Sequence, residues 1–234
     1  MDERPRTSRW LDLTSGAGLL LCLFLAADAA LIALHLSLKF VGYPSGWTFD
    51  LGAERGYGEL IQYLKAIWIA LLLLTLLQRL RAPVFLAWAA LFAYIAADDW
   101  FGLHERAGEW AGARWPERGD WVWHAGELGF LVGVVVMFLV VAVPLHRRER
   151  GRSREVSRRL FWLAAALGAV GVGVDAVHHL LFDAPWADVP FTVLEDGGEL
   201  VLMSVIVAFV FAVAERTGRP ERTHSTAATA VEMA

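Results

Sequence analysis

The sequence predicts an all-α integral membrane bundle of six transmembrane helices with both termini cytoplasmic. Three observations carry that reading. The chain of 234 residues is 57% hydrophobic and 20% charged, with a mean hydropathy of +0.47, too apolar for an ordinary soluble domain. Its apolar residues gather into six runs, each close to the roughly 20 residues a helix needs to cross a bilayer's hydrocarbon core. Its basic residues crowd alternate connections between those runs. Residues 1–16 read as a cytoplasmic N-terminal segment, 17–214 as the bundle, and 215–234 as a disordered cytoplasmic tail.

The first run, 17–38, follows Arg4, Arg6 and Arg9, as the core of a signal peptide would. It is long for one and Asp28 interrupts it, so it reads as a span. The second covers 59–80. The third, 84–105, opens behind Pro83, whose fixed φ suits a first helical turn. The fourth, 121–144, follows Asp120, a side chain suited to capping free N–H groups. The fifth, 160–182, emerges from the basic stretch "HRRERGRSREVSRR", and the sixth, 190–214, opens at Pro190. The lone Cys22 excludes an internal disulfide or a thiolate cluster.

Orientation follows from lysine and arginine. With the N-terminus inside, the inner segments hold fifteen of them: three near the N-terminus, Arg79 and Arg81, seven in 146–159, and three in the tail. The outer segments hold five: Lys39, Arg55, Arg106, Arg114 and Arg118. Lys65 lies within a span. The imbalance places the chain in the plasma membrane with both termini inside.

Ionisable residues then collect at the outer end. Asp98, Asp99, His104 and Glu105 close the third run, and His124 and Glu127 open the fourth. Asp175, His178 and His179 close the fifth, while Glu195, Asp196 and Glu199 open the sixth. His35 and Lys39 end the first run, and Glu59, Gln62 and Tyr63 begin the second. The inner halves, such as "FLVGVVVMFLVVAV", carry no ionisable side chain. Residues three, four or seven apart share a helix face, which pairs Asp98 with Glu105, His124 with Glu127, Asp175 with His178 and His179, and Glu195 with Glu199. Glycines 102, 126, 129, 171, 197 and 198 lie beside these stripes and let helices approach closely. Glu59 reads as a solvated helix start, Asp196 as diverging from its stripe, and Asp28 with His35 as a structural polar pair. Ala125, Gly129 and Gly133 read as a packing face. Trp110, Trp115, Trp121, Trp123 and Trp186 read as an interfacial belt.

So many acids need neutralising by protons, basic partners or a metal. Mixed imidazole and carboxylate donors suit a divalent metal, zinc foremost, with iron or manganese as alternatives. The expected ligands are Asp99, His104, Glu105, His124, Glu127, Asp175, His178, His179 and Glu199, with Glu195 or Asp98 as the general base. The leading expectation is a metal-dependent hydrolase or di-metal oxidase acting on a lipid or other amphiphile at an extracytoplasmic cup. The alternatives are a proton or divalent-cation transporter and a non-catalytic metal-binding subunit. Membrane lipids are the expected partners, and nothing points to nucleic acid.

The pattern "DDWFGLHE" with a later "LEDGGEL" resembles a loose group of uncharacterised bacterial multipass membrane proteins, through Asp98, Asp99, His104, Glu105, Glu195, Asp196 and Glu199. A weaker similarity connects the chain to the alkaline ceramidase and adiponectin-receptor superfamily of membrane zinc hydrolases. That resemblance implies a zinc cup in a membrane bundle, although here His178 and His179 are adjacent and no serine accompanies the cluster. Di-iron carboxylate proteins use Glu-x-x-His on two helices. This chain has Asp175-x-x-His178 and the reversed His124-x-x-Glu127, an inventory sufficient for two metals.

Overall fold

The computed structural model describes residues 15–119, 121–181 and 187–218, with the side chains at 175, 176 and 178–181 outside the description. The N-terminal arginines, the expected cap Asp120, Trp186 and the tail beyond Gly218 therefore lie outside the described residues. Within them the chain is helical: α1 Gly16–Val41, α2 Tyr57–Leu80, α3 Val84–Phe101, α4 Leu103–Arg114, α5 Trp121–Arg148, α6 Gly151–Leu181 and α7 Asp188–Gly218. Six of these are long and apolar enough to cross a membrane; α4 is the exception.

Local chemistry sets the ends. The Ser15 hydroxyl accepts the Gly18 N–H at 3.1 Å to start α1. Gly42, with φ of 74°, ends it in the left-handed conformation. Pro83 immediately precedes α3, and Pro190 falls in the first turn of α7.

Two elements differ from the sequence reading. The run 84–105 is not one helix. Gly102 adopts φ of 58°, its N–H closes on the Asp98 carbonyl at 2.7 Å, and α3 stops there. The Asp98 carboxylate then accepts the His104 N–H at 3.0 Å, satisfying a free donor in the first turn of α4. Asp98 and Glu105 therefore do not share one helical stripe. The basic stretch 146–159 is also not a loop. The helix α5 runs through Pro144 to Arg148, and α6 begins at Gly151. Glu155 pairs with Arg158 and Arg159, three and four residues on, so this sequence supports its own helix.

The centre of the bundle is α7, which packs against α1, α2 and α6, while α2 packs against α3. Trp88, Phe85, Phe92, Ile69, Leu73, Leu76, Leu160 and Val210 fill the core between them. On the periphery, α5 packs chiefly on α4. A Cβ at Gly126 would lie 2.6 Å from the Ala111 Cβ and 2.9 Å from the Ala107 carbonyl, so glycine permits that approach. Among the described residues, the face bearing Gly129 and Gly133 does not pack: a Cβ at either meets nothing within 4 Å. Val132, Val135, Val136, Met137 and Val140 of α5 are exposed, as lipid-facing residues are.

Charged groups also occur at depth. Lys65 and Asp28 are both 0% exposed, with Lys65 Nζ 2.5 Å from Asp28 Oδ1. Lys65 also donates to the Leu200 carbonyl at 2.9 Å, and the Ser204 hydroxyl donates to Asp28 Oδ2 at 2.5 Å. One ion pair thus ties α1, α2 and α7 together. At the arginine-bearing end, Arg79 and Arg152 donate to the Ala214 and Val213 carbonyls, cations placed at the negative end of the α7 dipole. Ser157 there joins Trp88 Nε1 of α3 and His146 Nδ1 of α5, each at 3.0 Å.

Removing one partner of a buried pair leaves the other charge uncompensated. Lys65→Met is expected to destabilise the bundle by about 3–5 kcal/mol. The double change Lys65→Met with Asp28→Asn should recover much of that loss. Thermal melts in detergent check this, and a double variant no more stable than the single would contradict it.

Candidate acid pocket and its neighbouring imidazole group

Among the described residues, the acidic side chains at one end of the bundle fall into two groups. The first surrounds a cavity of about 110 Å³ lined by Glu59 and Gln62 of α2, Asp99 of α3, and Asp196 and Glu199 of α7, with Leu51, Gly58 and Leu200 completing the wall. Gln62 Nε2 donates to Glu199 Oε2 at 2.9 Å, and Gln62 Oε1 is buried with no hydrogen-bond partner among the described residues. Glu59 accepts the Arg55 N–H. The Tyr63 hydroxyl donates to the Asp99 carbonyl at 3.1 Å and fastens α2 to α3 at the pocket's edge. On the far side stands Gly171 of α6, where a Cβ would overlap the Glu199 carboxylate. Glycine at 171 therefore makes room for that acid.

The second group lies between α3, α4 and α5. His104 Nδ1 stands 3.1 Å from Asp98 Oδ2, and because a carboxylate only accepts, Nδ1 carries the proton. His124 Nδ1 lies 3.6 Å from Glu127 Oε2, and His124 is exposed. The stem of Glu127 packs on Gly108 of α4, where a Cβ would come within 2.6 Å of its Cγ. The Glu105 carboxylate folds back beside Gly102.

Adjacent positions about 100° apart on a helix explain the division. Asp99 faces the cavity and Asp98 faces His104. Of the expected metal ligands, Asp99 and Glu199 meet in the pocket, while His104, Glu105, His124 and Glu127 gather at α4 and α5. The side chains of Asp175, His178 and His179 lie outside the described residues. Of the two expected bases, Asp98 is engaged by His104, and Glu195 is half-buried on α7 but does not line the cavity. Among the described residues, no three His, Cys, Asp or Glu side chains converge as a metal ion requires.

Glu59, Gln62 and Asp196 line the pocket although the sequence reading set the two acids aside. Their signal was present. Glu59 and Gln62 are three apart, as are Asp196 and Glu199, a spacing that shares a face as well as four does.

The arrangement is an all-helical bundle, with six helices long and apolar enough to cross a membrane and an acid-lined pocket at one end. The chain belongs to the family described as a domain of unknown function (DUF8692), matched over residues 41–213. That span holds every residue lining the pocket. No curated protein and no solved structure matches the chain.

On α4, the Asp98 hydrogen bond raises the His104 pKa; burial opposes it, and the charges of Asp98, Glu105 and Glu127 reinforce it. A folded value above the unfolded value of about 6.5 means the imidazolium stabilises the fold fully below that pH. The contribution is lost as pH rises through the folded value. Asp98→Asn should lower the His104 midpoint followed by imidazole NMR and flatten that part of the stability profile. An unchanged midpoint would show that the Asp98 contact does not act on the ring.

Proposed function

We propose that this is a proton-binding membrane protein whose acid pocket loads and unloads protons from the extracytoplasmic side of the plasma membrane. One observation carries the reading: four carboxylates from three helices line a single small cavity, and its described lining residues include no lysine or arginine. Lys65, directly below, is committed to Asp28. Carboxylates so placed repel one another, and a low-dielectric surround strengthens the repulsion, so the pocket holds fewer charges than acids. Protons supply the difference.

A second reading, the metal-dependent hydrolase with zinc, iron or manganese and a lipid-like substrate, is favoured by one feature of α6. Gly171, which adjoins Glu199, is followed four and seven residues on by positions 175 and 178, along one helical stripe. In the sequence these positions are Asp175 and His178.

Glu199→Gln separates the two. The amide copies the shape of a protonated acid and can still accept from Gln62. Under the proton reading it stabilises the protein at about pH 8, by on the order of 1–4 kcal/mol for one relieved like-charge contact. It also makes stability less dependent on pH, and chelator has no effect. Melting curves from about pH 5 to 8, with and without chelator, check this. A chelator-sensitive wild type whose metal dependence the variant removes would transfer the pocket to the metalloenzyme reading. Identical pH profiles for wild type and variant would sink the proton reading.

The cytoplasmic placement of both termini rests on the arginine distribution, and the exposed connection between α5 and α6 tests it. With Cys22 replaced, Arg150→Cys is expected to resist an impermeant thiol reagent in intact cells, while Glu117→Cys reacts. The reverse pattern would put the pocket on the cytoplasmic side.

A further inference from the structure

Between α1 and α2 the chain forms a strap, 42–56, that closes one side of the acid pocket. Leu51 is buried and lines the cavity. Next to it, Gly52 packs toward α7, where a Cβ would lie 3.5 Å from Asp196 Oδ2 and from the Thr192 methyl. The strap is fastened at Asp50 and Leu51. Lys39 Nζ donates to Asp50 Oδ2 at 2.6 Å, and the Gly52 N–H donates to Asp50 Oδ1 at 3.3 Å. A further fastening is His35, near the end of α1 and 0% exposed.

His35 offers one nitrogen to two groups. The Leu51 N–H points at Nδ1 from 3.1 Å, and Asp50 Oδ1 also lies 3.1 Å from Nδ1. These bonds exclude each other. With the ring proton on Nε2, Nδ1 accepts from Leu51 but turns a lone pair toward the Asp50 carboxylate. With a proton on Nδ1, the ring donates to Asp50 and Leu51 loses its acceptor. Nε2 is buried without a hydrogen-bond partner among the described residues, so no described contact there pins the ring to either state. Asp50 stays ionised: burial pushes its carboxyl up, but the Lys39 hydrogen bond and charge, His35 and the Gly52 N–H together hold it below the usual range.

We propose that His35 is a protonation latch on the strap: the neutral ring holds Leu51 against the pocket, and the imidazolium takes Asp50 instead and frees Leu51. The groups that bear on it are Asp50 of the strap and Lys39 of α1, with Asp196 of α7 beneath Gly52 and Glu59 of α2 at the pocket wall. This deepens the proton reading of the pocket and rests on it for its purpose. Acid conditions that load the carboxylates also loosen their cover.

The test reads the strap itself. In the full chain in detergent, the Leu51 amide's hydrogen-exchange protection factor is corrected for the intrinsic pH dependence of exchange. It should fall about ten-fold between about pH 8 and pH 5, as for the loss of roughly one hydrogen bond. The midpoint should coincide with the His35 imidazole titration seen by NMR. His35→Gln, whose side-chain oxygen accepts from Leu51 and does not titrate, should make the protection flat. If that variant does not fold, Asp50→Asn serves, and Leu51 should then keep its protection to lower pH. A constant Leu51 protection while His35 titrates would overturn the latch. So would a His35 that holds one state across this range, or a fall that persists unaltered in the variants. Glu199→Gln melting is independent of this readout, so a failed latch and a failed pocket reading are distinguishable.

Discussion

A lysine without exposed surface inside a membrane bundle is the constraint from which the rest follows. An unpaired ammonium there would cost several kcal/mol, and Asp28 removes that cost only in one register of α1, α2 and α7. Ser204 and the Leu200 carbonyl hold the pair in place. With that register set, the pocket is its continuation. Both α2 and α7 run away from the acid-bearing end, so Gln62 stands one turn above Lys65 and Glu199 directly precedes Leu200, and these two meet. Glu59 and Asp196 stand three residues further up their helices and line the same cavity. One buried pair therefore aligns two stripes of polar residues.

Glycine determines how closely the acids can be enclosed. Gly171 leaves the space that the Glu199 carboxylate occupies, Gly108 takes the stem of Glu127, and Gly102 adjoins the Glu105 carboxylate. Each carboxylate lies against backbone, where an added methyl group would collide with it. The same residue type has different duties elsewhere. At Gly126 it allows contact between α4 and α5, and at Gly102 it also supplies the left-handed turn between α3 and α4.

Much of this was legible in the sequence. Six apolar runs predicted the six long helices, and the clustering of acids and histidines at alternate run ends predicted a polar end. Two things were not. Apolar composition concealed the break at Gly102, because the αL turn sits within a run whose hydropathy continues past it. Helix periodicity showed which residues could share a face, but not the direction of that face. Glu195 and Asp196 both fit a stripe with Glu199, and only the packing of α7 against α2 selects Asp196. Asp98 and Asp99 were equally ambiguous, and the bundle uses them in different groups. The sequence placed Lys65 within a span without naming its partner, and Asp28, far away in sequence, claims it.

The depth of the polar line bears on what the pocket can transmit. From the pocket it descends through Gln62 and Glu199 to Lys65, Asp28 and Ser204, all three fully buried. Below, α2 offers Ile69, Leu73 and Leu76, and α7 offers Ile206 and Val210, each without exposed surface. These side chains have no donor or acceptor, so the hydrogen-bonded line does not pass through them to Ser157, His146 and Arg79 at the other end. On the proposed proton reading, a proton held in the pocket has no hydrogen-bonded path onward among the described residues. Its effect must leave by another route. Loading removes repulsion between α2, α3 and α7, and the helix that would respond most directly is α7, which carries two of the four acids and adjoins the strap, α1, α2 and α6. On the proposed proton reading, charge would be registered at one end of this bundle and conveyed by helix position rather than by conduction.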